Sequence, residues 1–425
     1  MKILLLSLYF TPDPAANSVI MTELAEELTQ LGHQVTVIAA FPHYDTNQIW
    51  PTYRGQLVQK DEHQGIRVYR TYLYVPANKT NLLGRVLNYL SFNALSTLIG
   101  ALAGQVDVIL APSPPLTIGL SAYLLSRLRR APYIYNVQDI YPDVAIRLGV
   151  LTNPKVIRFF QALERFVYRH ATAVSVLSEG FRQNLLGKGV PAEKVAIIPN
   201  FIDTTFMQPG PKDNAFARQH GLQDKVVVMY AGNVGLSQGL ETLLQAAHHL
   251  QTLPDLRFLI VGNGAAKADL QAQAARLGLS NVIFLPFQPR EQLPAMYATA
   301  DISLVVLKQG IGAESVPSKA YTILASGRPL IAAIDAGSET QRLIEAAGCG
   351  LWTPPEQIGA LAEAICSLYH QPGLRDQLGR NGRAYVESYY TRQAVGRQYA
   401  ALLESLVKPR TKARPWQIEG LGRWM

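Results

Sequence analysis

Short apolar runs rich in Val and Ile alternate with longer helical patterns along nearly the whole chain. Runs of this kind lack the strict in–out alternation of a half-exposed strand. They belong in parallel sheets covered on both faces, where the intervening helices make the crossovers. In the first half the candidate strands are Ile3–Tyr9, Val35–Ala40, Val106–Ala111, Tyr133–Val137, Ala173–Leu177 and Val195–Pro199. In the second half they are Val226–Ala231, Arg257–Gly262, Val282–Leu285, Ile302–Leu307 and Leu330–Ala333. The pattern breaks once, at Asn200–Asp224, where Pro, Gly and charge separate two strand runs. The expectation is an α/β chain of two Rossmann-like, doubly wound domains, 1–200 and 201–384. A helix near 385–405 is expected to pack back on the first domain, ahead of a basic, flexible tail at 406–425. Ligands bind outside the carboxyl ends of such strands, so a cleft between two such sheets is the natural site.

Composition narrows the class. Of 425 residues, 48% are hydrophobic and 16% charged, which suits packed cores and excludes a disordered chain. Cys349 and Cys366 build neither a disulfide framework nor a zinc site, so a reducing, cytoplasmic setting is expected. The opening MKILLLSLYFTPDP is a short apolar run stopped by Pro12 and Pro14; it reads as a buried strand rather than a signal peptide. A net charge of +8 fits either solvated helix faces or a basic surface drawn to anionic headgroups and phosphorylated substrates. No helix-turn-helix, zinc-finger or RNA-binding pattern appears, so nucleic acid is not an expected partner. Residues 82–103 are long enough to span a bilayer, but Arg85, Asn88, Ser91, Asn93, Ser96 and Thr97 interrupt them. A buried or interfacial amphipathic helix is expected there, with peripheral contact to the cytoplasmic face of a membrane as one outcome.

Four motifs carry chemistry. The first runs from Tyr230 through Ala-Gly-Asn-Val-Gly-Leu-Ser-Gln to Gly239, after a strand and before a helix. Glycines at such a turn let backbone N–H groups approach a phosphate at a helix N-terminus, though close helix–sheet packing also selects glycine. It is neither a Walker loop nor a dinucleotide fingerprint. The second, Leu256 to Gly264, ends in Gly262 and Gly264 over the carboxyl edge of a strand. The third, Asn281 to Pro289, ends in a turn whose Pro286 and Phe287 could bracket a planar base. The fourth, Glu314-Ser-Val-Pro-Ser-Lys-Ala-Tyr-Thr, brings a hydroxyl, a cation and free N–H groups to the start of a helix, which suits a diphosphate.

In this order, the segments resemble the retaining glycosyltransferases of family 4, which have the GT-B fold. Tyr9-Phe-Thr-Pro, Glu23-Leu-Ala-Glu-Glu-Leu and Leu31-Gly-His-Gln-Val-Thr-Val37 are similar to that family's opening strand, loop, helix and strand. Ile198-Pro-Asn-Phe-Ile-Asp-Thr-Thr-Phe206 resembles its crossing between domains, and the likeness runs from about Lys2 to Tyr399. Asn136-Val-Gln-Asp-Ile-Tyr-Pro, Gly232-Asn233, Gln238-Gly239 and Pro317-Ser-Lys319 resemble transferases of bacterial surface polysaccharides, of the kind acting on fucosamine and other N-acetylamino sugars.

The resemblance implies transfer of a sugar, of the N-acetylamino type, from a UDP-sugar to a glycan or lipid-diphosphate-linked acceptor. No cofactor is implied, and no metal, since no Asp-x-Asp motif occurs. Glu314 fills the first of the family's two paired glutamate positions, facing the donor sugar; Thr322 stands at the second, the ribose ligand. The family's Arg and Lys on the donor phosphates fall at Asn233 and Gln238, both uncharged. Charge neutralisation therefore shifts to Lys319, helped by Ser318 and by the backbone at Gly232 and Asn233. Gly262, Gly264, Pro286, Phe287 and Tyr321 complete the implied donor site. In the first domain Ala15, Ala16 and Asn17 replace the paired glycines that approach the donor. On the acceptor side Gln138 replaces a common histidine beside Asp139, which is implied to orient or activate the acceptor hydroxyl. A sugar-nucleotide epimerase of the same fold and a non-catalytic nucleotide-sugar binder are the alternatives.

Overall fold

The computed structural model describes residues 1–76, 82–147, 149–311 and 318–407, and the chain divides into two compact units. One comprises Met1–Pro199 and the chain from Val395; the other is Asn200–Ala394. Among the described residues the first unit holds strands β1 (Lys2–Ser7), β2 (Gln34–Ala40), β3 (Val58–His63), β4 (Ile66–Thr71), β5 (Val108–Pro112), β6 (Tyr133–Val137), β7 (Ala173–Val176) and β8 (Val195–Ile197). The second holds β9 (Val226–Ala231), β10 (Leu256–Val261), β11 (Val282–Leu285), β12 (Ile302–Val306), β13 (Leu330–Ala333) and β14 (Gly350–Thr353).

The sheet orders are β3-β4-β2-β1-β5-β6-β7-β8 and β11-β10-β9-β12-β13-β14. Both reverse direction at one point: between β1 and β5 in the first unit, and between β9 and β12 in the second. There the crossovers leave in opposite directions and a crevice opens beyond the strand ends. Every pairing is parallel except β3 with β4.

Most runs that read as doubly covered strands are so, except the edge strands β8 and β11, whose residues are only half-buried. In β9, Val228 and Tyr230 belong to one core and Val227 and Met229 to the other, all buried. Three strands escape the sequence expectation, for two reasons. β3 and β4 form an antiparallel edge hairpin, VQKDEH and IRVYRT, with charge on the outer face. Their turn places Gln64 and Gly65 at φ of 48° and 80°, the left-handed geometry that a two-residue hairpin requires. β14, with the sequence GLWT, is too short to stand out.

Residues 82–103 form a helix, Leu82–Leu102, whose polarity is inverted. Asn88, Asn93 and Ser96 are buried, whereas Leu87, Leu90, Leu98 and Leu102 are exposed, the last at 73%. Asn88 donates to the Tyr74 carbonyl at 2.7 Å, and the Asn93 carbonyl accepts from Ser121 at 3.3 Å. The buried stripe thus combines Phe92 with these polar residues, while the leucines face outward. Among the described residues no helix is long and apolar enough to cross a membrane. The chain returns to the first unit along the helix Arg392–Val407, where the Tyr399 hydroxyl accepts a 2.9 Å hydrogen bond from Asn136 at the end of β6.

Candidate active site

The β9–β12 switch point in the second unit gathers the donor motifs. Beyond β9 the chain turns at Gly232, with φ 146°, and beyond β10 at Gly262, with φ 147°. The two turns lie against each other. A Cβ at Gly262 would meet the Gly232 carbonyl oxygen at 1.8 Å, and one at Gly264 would meet the Val234 carbonyl at 2.2 Å. These glycines are thus dictated by backbone approach, whatever they bind. The Gly232 N–H is taken up by the Val261 carbonyl at 2.9 Å. The expected use of that N–H on a diphosphate is corrected accordingly: the sheet edge already holds it.

Lys319 comes to this point from the helix Ser318–Ala325, which follows β12. Its Nζ donates to the Tyr230 hydroxyl and to Gln238 Oε1, each at 3.0 Å. It also sits 4.3 Å from the centroid of the Tyr230 ring. Burial alone lowers its pKa to about 8. The Tyr230 hydroxyl lies 2.7 Å from the Asn233 carbonyl oxygen and 2.8 Å from Gln238 Oε1. A side chain at Gly232 would press on the ammonium, since a Cβ there lies 3.2 Å from Nζ. Nearby, Lys267 Nζ holds the Gly262 and Leu285 carbonyls at 2.7 and 2.9 Å, fixing the ends of β10 and β11.

The other donor-side expectations are placed unevenly. Asn233, Pro286 and Phe287 are exposed beyond β9 and β11, and Thr322 is half-buried on the Lys319 helix. Tyr321 is corrected: it lies in the core on the far side of the sheet, its ring stacked on Tyr390 at 4.6 Å, because successive helical positions face different ways. Glu314 and the side chain of Ser318 lie outside the described residues.

In the first unit the loop after β1, which borders the corresponding switch point, meets the loop after β2. Asp13, 4% exposed, accepts backbone N–H bonds from His43 at 3.0 Å and Tyr44 at 3.3 Å, tying the loops together. Burial raises its pKa despite those donors. The Tyr9 ring stacks on His43 with centroids 5.5 Å apart. Ala15 is buried and Ala16 exposed at the start of the next helix. The side-chain amide atoms of Asn17 are buried without a hydrogen-bond partner among the described residues. After β6, Gln138 is held from both ends: its N–H donates to Ser113 Oγ at 3.1 Å and its amide to Asn136 Oδ1 at 2.7 Å. Asp139 is an exposed residue, yet the protein packed near its carboxyl raises that group's pKa by desolvation.

Sequence reasoning assigned no role to Tyr230, Lys267, Asp13 or His43. Tyr230 read as the end of a buried strand; the available signal was that a buried phenol needs a hydrogen-bond partner. Asp13 stood beside the expected loop residues, but its burial depends on a segment 30 residues away.

Two family descriptions match the chain: "Glycosyl transferase 4-like domain" over residues 18–200, and "Glycosyl transferases group 1" over 212–385. The chain is 32% identical to the putative colanic acid biosynthesis glycosyl transferase WcaI of Escherichia coli K12, over 94% of this chain and 98% of that protein. It is 26% identical to the probable glycosyltransferase WbjE of Pseudomonas aeruginosa, over 78% of this chain and 83% of that one. Among solved structures, Anabaena Alr3699/HepE in complex with UDP matches with a TM-score of 0.73 at 19% identity, covering 96% of this chain and all (100%) of that one. The sucrose-phosphate synthase of Thermosynechococcus elongatus matches at the same TM-score, 0.73, and 19% identity, covering 96% of this chain and 99% of that one. With its two switch-point sheets and these relatives, the chain belongs to the family 4 glycosyltransferases and has the GT-B fold.

Proposed function

We propose that this glycosyltransferase moves an N-acetylamino sugar from a UDP-sugar to a glycan or lipid-diphosphate-linked acceptor in surface-polysaccharide synthesis, with retention and without a metal. The observation that carries the reading is the Lys319 ammonium, held at the β9–β12 switch point by a phenol and an amide. In the reaction the bond from the sugar's anomeric carbon to the diphosphate oxygen breaks, and a bond to the acceptor oxygen forms. Negative charge grows on the departing diphosphate. A fixed cation aimed there lowers the barrier more than the ground state, because charge develops only as the bond breaks. The acceptor's proton passes to the leaving diphosphate or to Asp139, whose raised pKa makes it a better proton acceptor than an ordinary carboxylate. The relatives' names support polysaccharide synthesis, and the UDP complex of a protein with this fold supports the nucleotide.

Peripheral membrane contact belongs to the same proposal. Leu87, Leu90, Leu98 and Leu102 are exposed on one helix, and Leu124 and Leu128 on the helix Ile118–Arg129 packed beside it. Arg127 and Arg130, both exposed, lie at the end of that second helix. Apolar side chains beside arginines suit an anionic lipid surface that would present a lipid-linked acceptor.

The test is release of nucleoside diphosphate from a panel of nucleotide sugars, with and without a prenyl-diphosphate-linked sugar. Acceptor-dependent release from a UDP-N-acetylamino sugar is expected. Release from a different donor corrects the sugar, and equal release without acceptor would overturn the transfer reading.

A further inference from the structure

The partners of Lys319 have a chemistry that the transferase reading alone does not require. A lysine ammonium has three N–H donors and no acceptor. Two of them are engaged, by the Tyr230 hydroxyl and by Gln238 Oε1, both at 3.0 Å, and the third has no partner among the described residues. Both engaged partners are neutral oxygens. Elsewhere in this chain the half-buried Lys188 is held by carboxylates, Glu164 at 2.6 Å and Asp143 at 2.9 Å, whereas Lys267, like Lys319, is held by neutral oxygens. A carboxylate would orient Lys319 equally well, but it would cancel the field that an incoming anion must feel.

The network also fixes which way Gln238 points. Because Nζ can only donate, the glutamine atom 3.0 Å away must be its oxygen. The hydroxyl of Tyr230 closes the arrangement by lying 2.7 Å from the Asn233 carbonyl, to which it donates while it accepts from Lys319. Tyr230 itself is locked, its ring buried in the core of the second unit. Gln238 lies in the 3-10 turn Leu236–Gln238, just ahead of Gly239 in the left-handed conformation, φ 61°.

We propose that Tyr230 and Gln238 are positioning residues that hold the Lys319 ammonium toward a diphosphate while, among the described residues, no carboxylate compensates its charge. The inference rests on the reading that this site takes a nucleoside diphosphate. It gives Gln238 the task of orienting a cation supplied by a different element, rather than that of a phosphate ligand. The shifted titration of Lys319 agrees: burial is its cause, and the Tyr230 phenol is the titratable group it is seen to touch. A lysine held in this way takes up a proton on binding the anion at pH values above about 8.

Gln238→Glu separates this role from a packing role, because it keeps the shape and the acceptor oxygen. If Gln238 only packs, Glu is milder than Ala. If it orients an uncompensated cation, Glu is the more damaging, since it forms the ion pair that the site avoids. With UDP as probe and uridine as the phosphate-free control, Gln238→Glu is expected to weaken UDP binding by roughly tenfold or more and Gln238→Ala by roughly threefold, with uridine unchanged. Tyr230→Phe keeps the ring and is expected to cost roughly threefold to tenfold. Equal effects of Glu and Ala, or a milder Glu, overturn the inference.

A ligand-free measurement keeps the two readings distinguishable. The rate of Lys319 acylation across pH 7–10, followed by mass spectrometry on the full chain, reports the state of its amine. Gln238→Glu should shift that profile to higher pH through its charge; an unmoved profile overturns the inference. Failure of Lys319→Ala to weaken UDP binding, with the acylation profiles behaving as expected, would instead remove the diphosphate from this site and leave the network intact.

Discussion

The two units repeat one reversal of strand order, but the shifted titratable groups beyond their strand ends differ in sign. In the second unit the crevice between β9 and β12 holds a cation, Lys319, among neutral oxygens. In the first, the loops beyond β1, β2 and β6 hold acids, Asp13 and Asp139, whose carboxyl pKa values burial pushes up. In each, burial works against the charged form, lowering the Lys319 value and raising those of the two acids. The strand order puts a crevice in both places, and the loops decide which sign it carries. A cation suits a departing diphosphate, and a hard-to-ionise acid suits the removal of a proton from an alcohol.

The strongest way to break the contrast is to remove the cation. Lys319→Ala is expected to lower kcat by about 10²–10³, the usual effect of losing one group aimed at developing charge. A kcat within about threefold of the parent would end its assignment. Asp139→Asn tests the other pole: transfer should fall by about 10²-fold while UDP binding stays unchanged. Equal losses in both would mean that Asp139 only shapes its loop.

Stability sharpens the comparison further. Gly262→Ala forces a Cβ toward the Gly232 carbonyl at an unfavourable φ, so a loss of about 2–4 kcal/mol is expected in denaturant unfolding. Lys319→Met should go the opposite way, raising stability by about 0.5–2 kcal/mol at neutral pH while abolishing function. The sign follows from linkage. The folded pKa of Lys319, about 8, lies below that of a free lysine, so the folded state binds fewer protons than the unfolded state in the interval between. The cost of its charge is fully present below about pH 8 and is relieved as pH rises toward the free-lysine value. Asp139 has the mirror dependence: its raised pKa makes the folded state hold a proton longer, and the cost appears as pH rises through that value. A parent-minus-K319M stability difference that is flat across pH 7–10 would contradict the lysine half of the comparison. The smallest effect expected is that of Leu98→Asp, an exposed position, within about 0.5 kcal/mol in stability. Loss of binding to anionic vesicles in that variant would support the membrane surface, and unchanged binding would remove Leu98 from it.

The residues that were legible in advance share one property: their signal is local. Continuous apolar runs such as Val226–Ala231 announce strands buried on both faces, and a Ser-Lys pair before a helical pattern announces the start of the helix that carries Lys319. The edge hairpin escaped because β3, VQKDEH, is polar at every position after Val58, and Tyr321 was misplaced because one step along a helix turns a side chain by about 100°. By itself the sequence determined the α/β class, the break near residue 200, and the presence of glycines, a lysine and acids at strand ends, all features written within a few neighbouring positions. Only the tertiary structure decided that Lys319 meets Tyr230 across 89 residues and that Asp13 is buried by the loop carrying His43. It also decided that the Leu82–Leu102 helix turns its asparagines inward. Burial, desolvation and hydrogen-bond partnership are properties of chain crossings, and no window of sequence contains them.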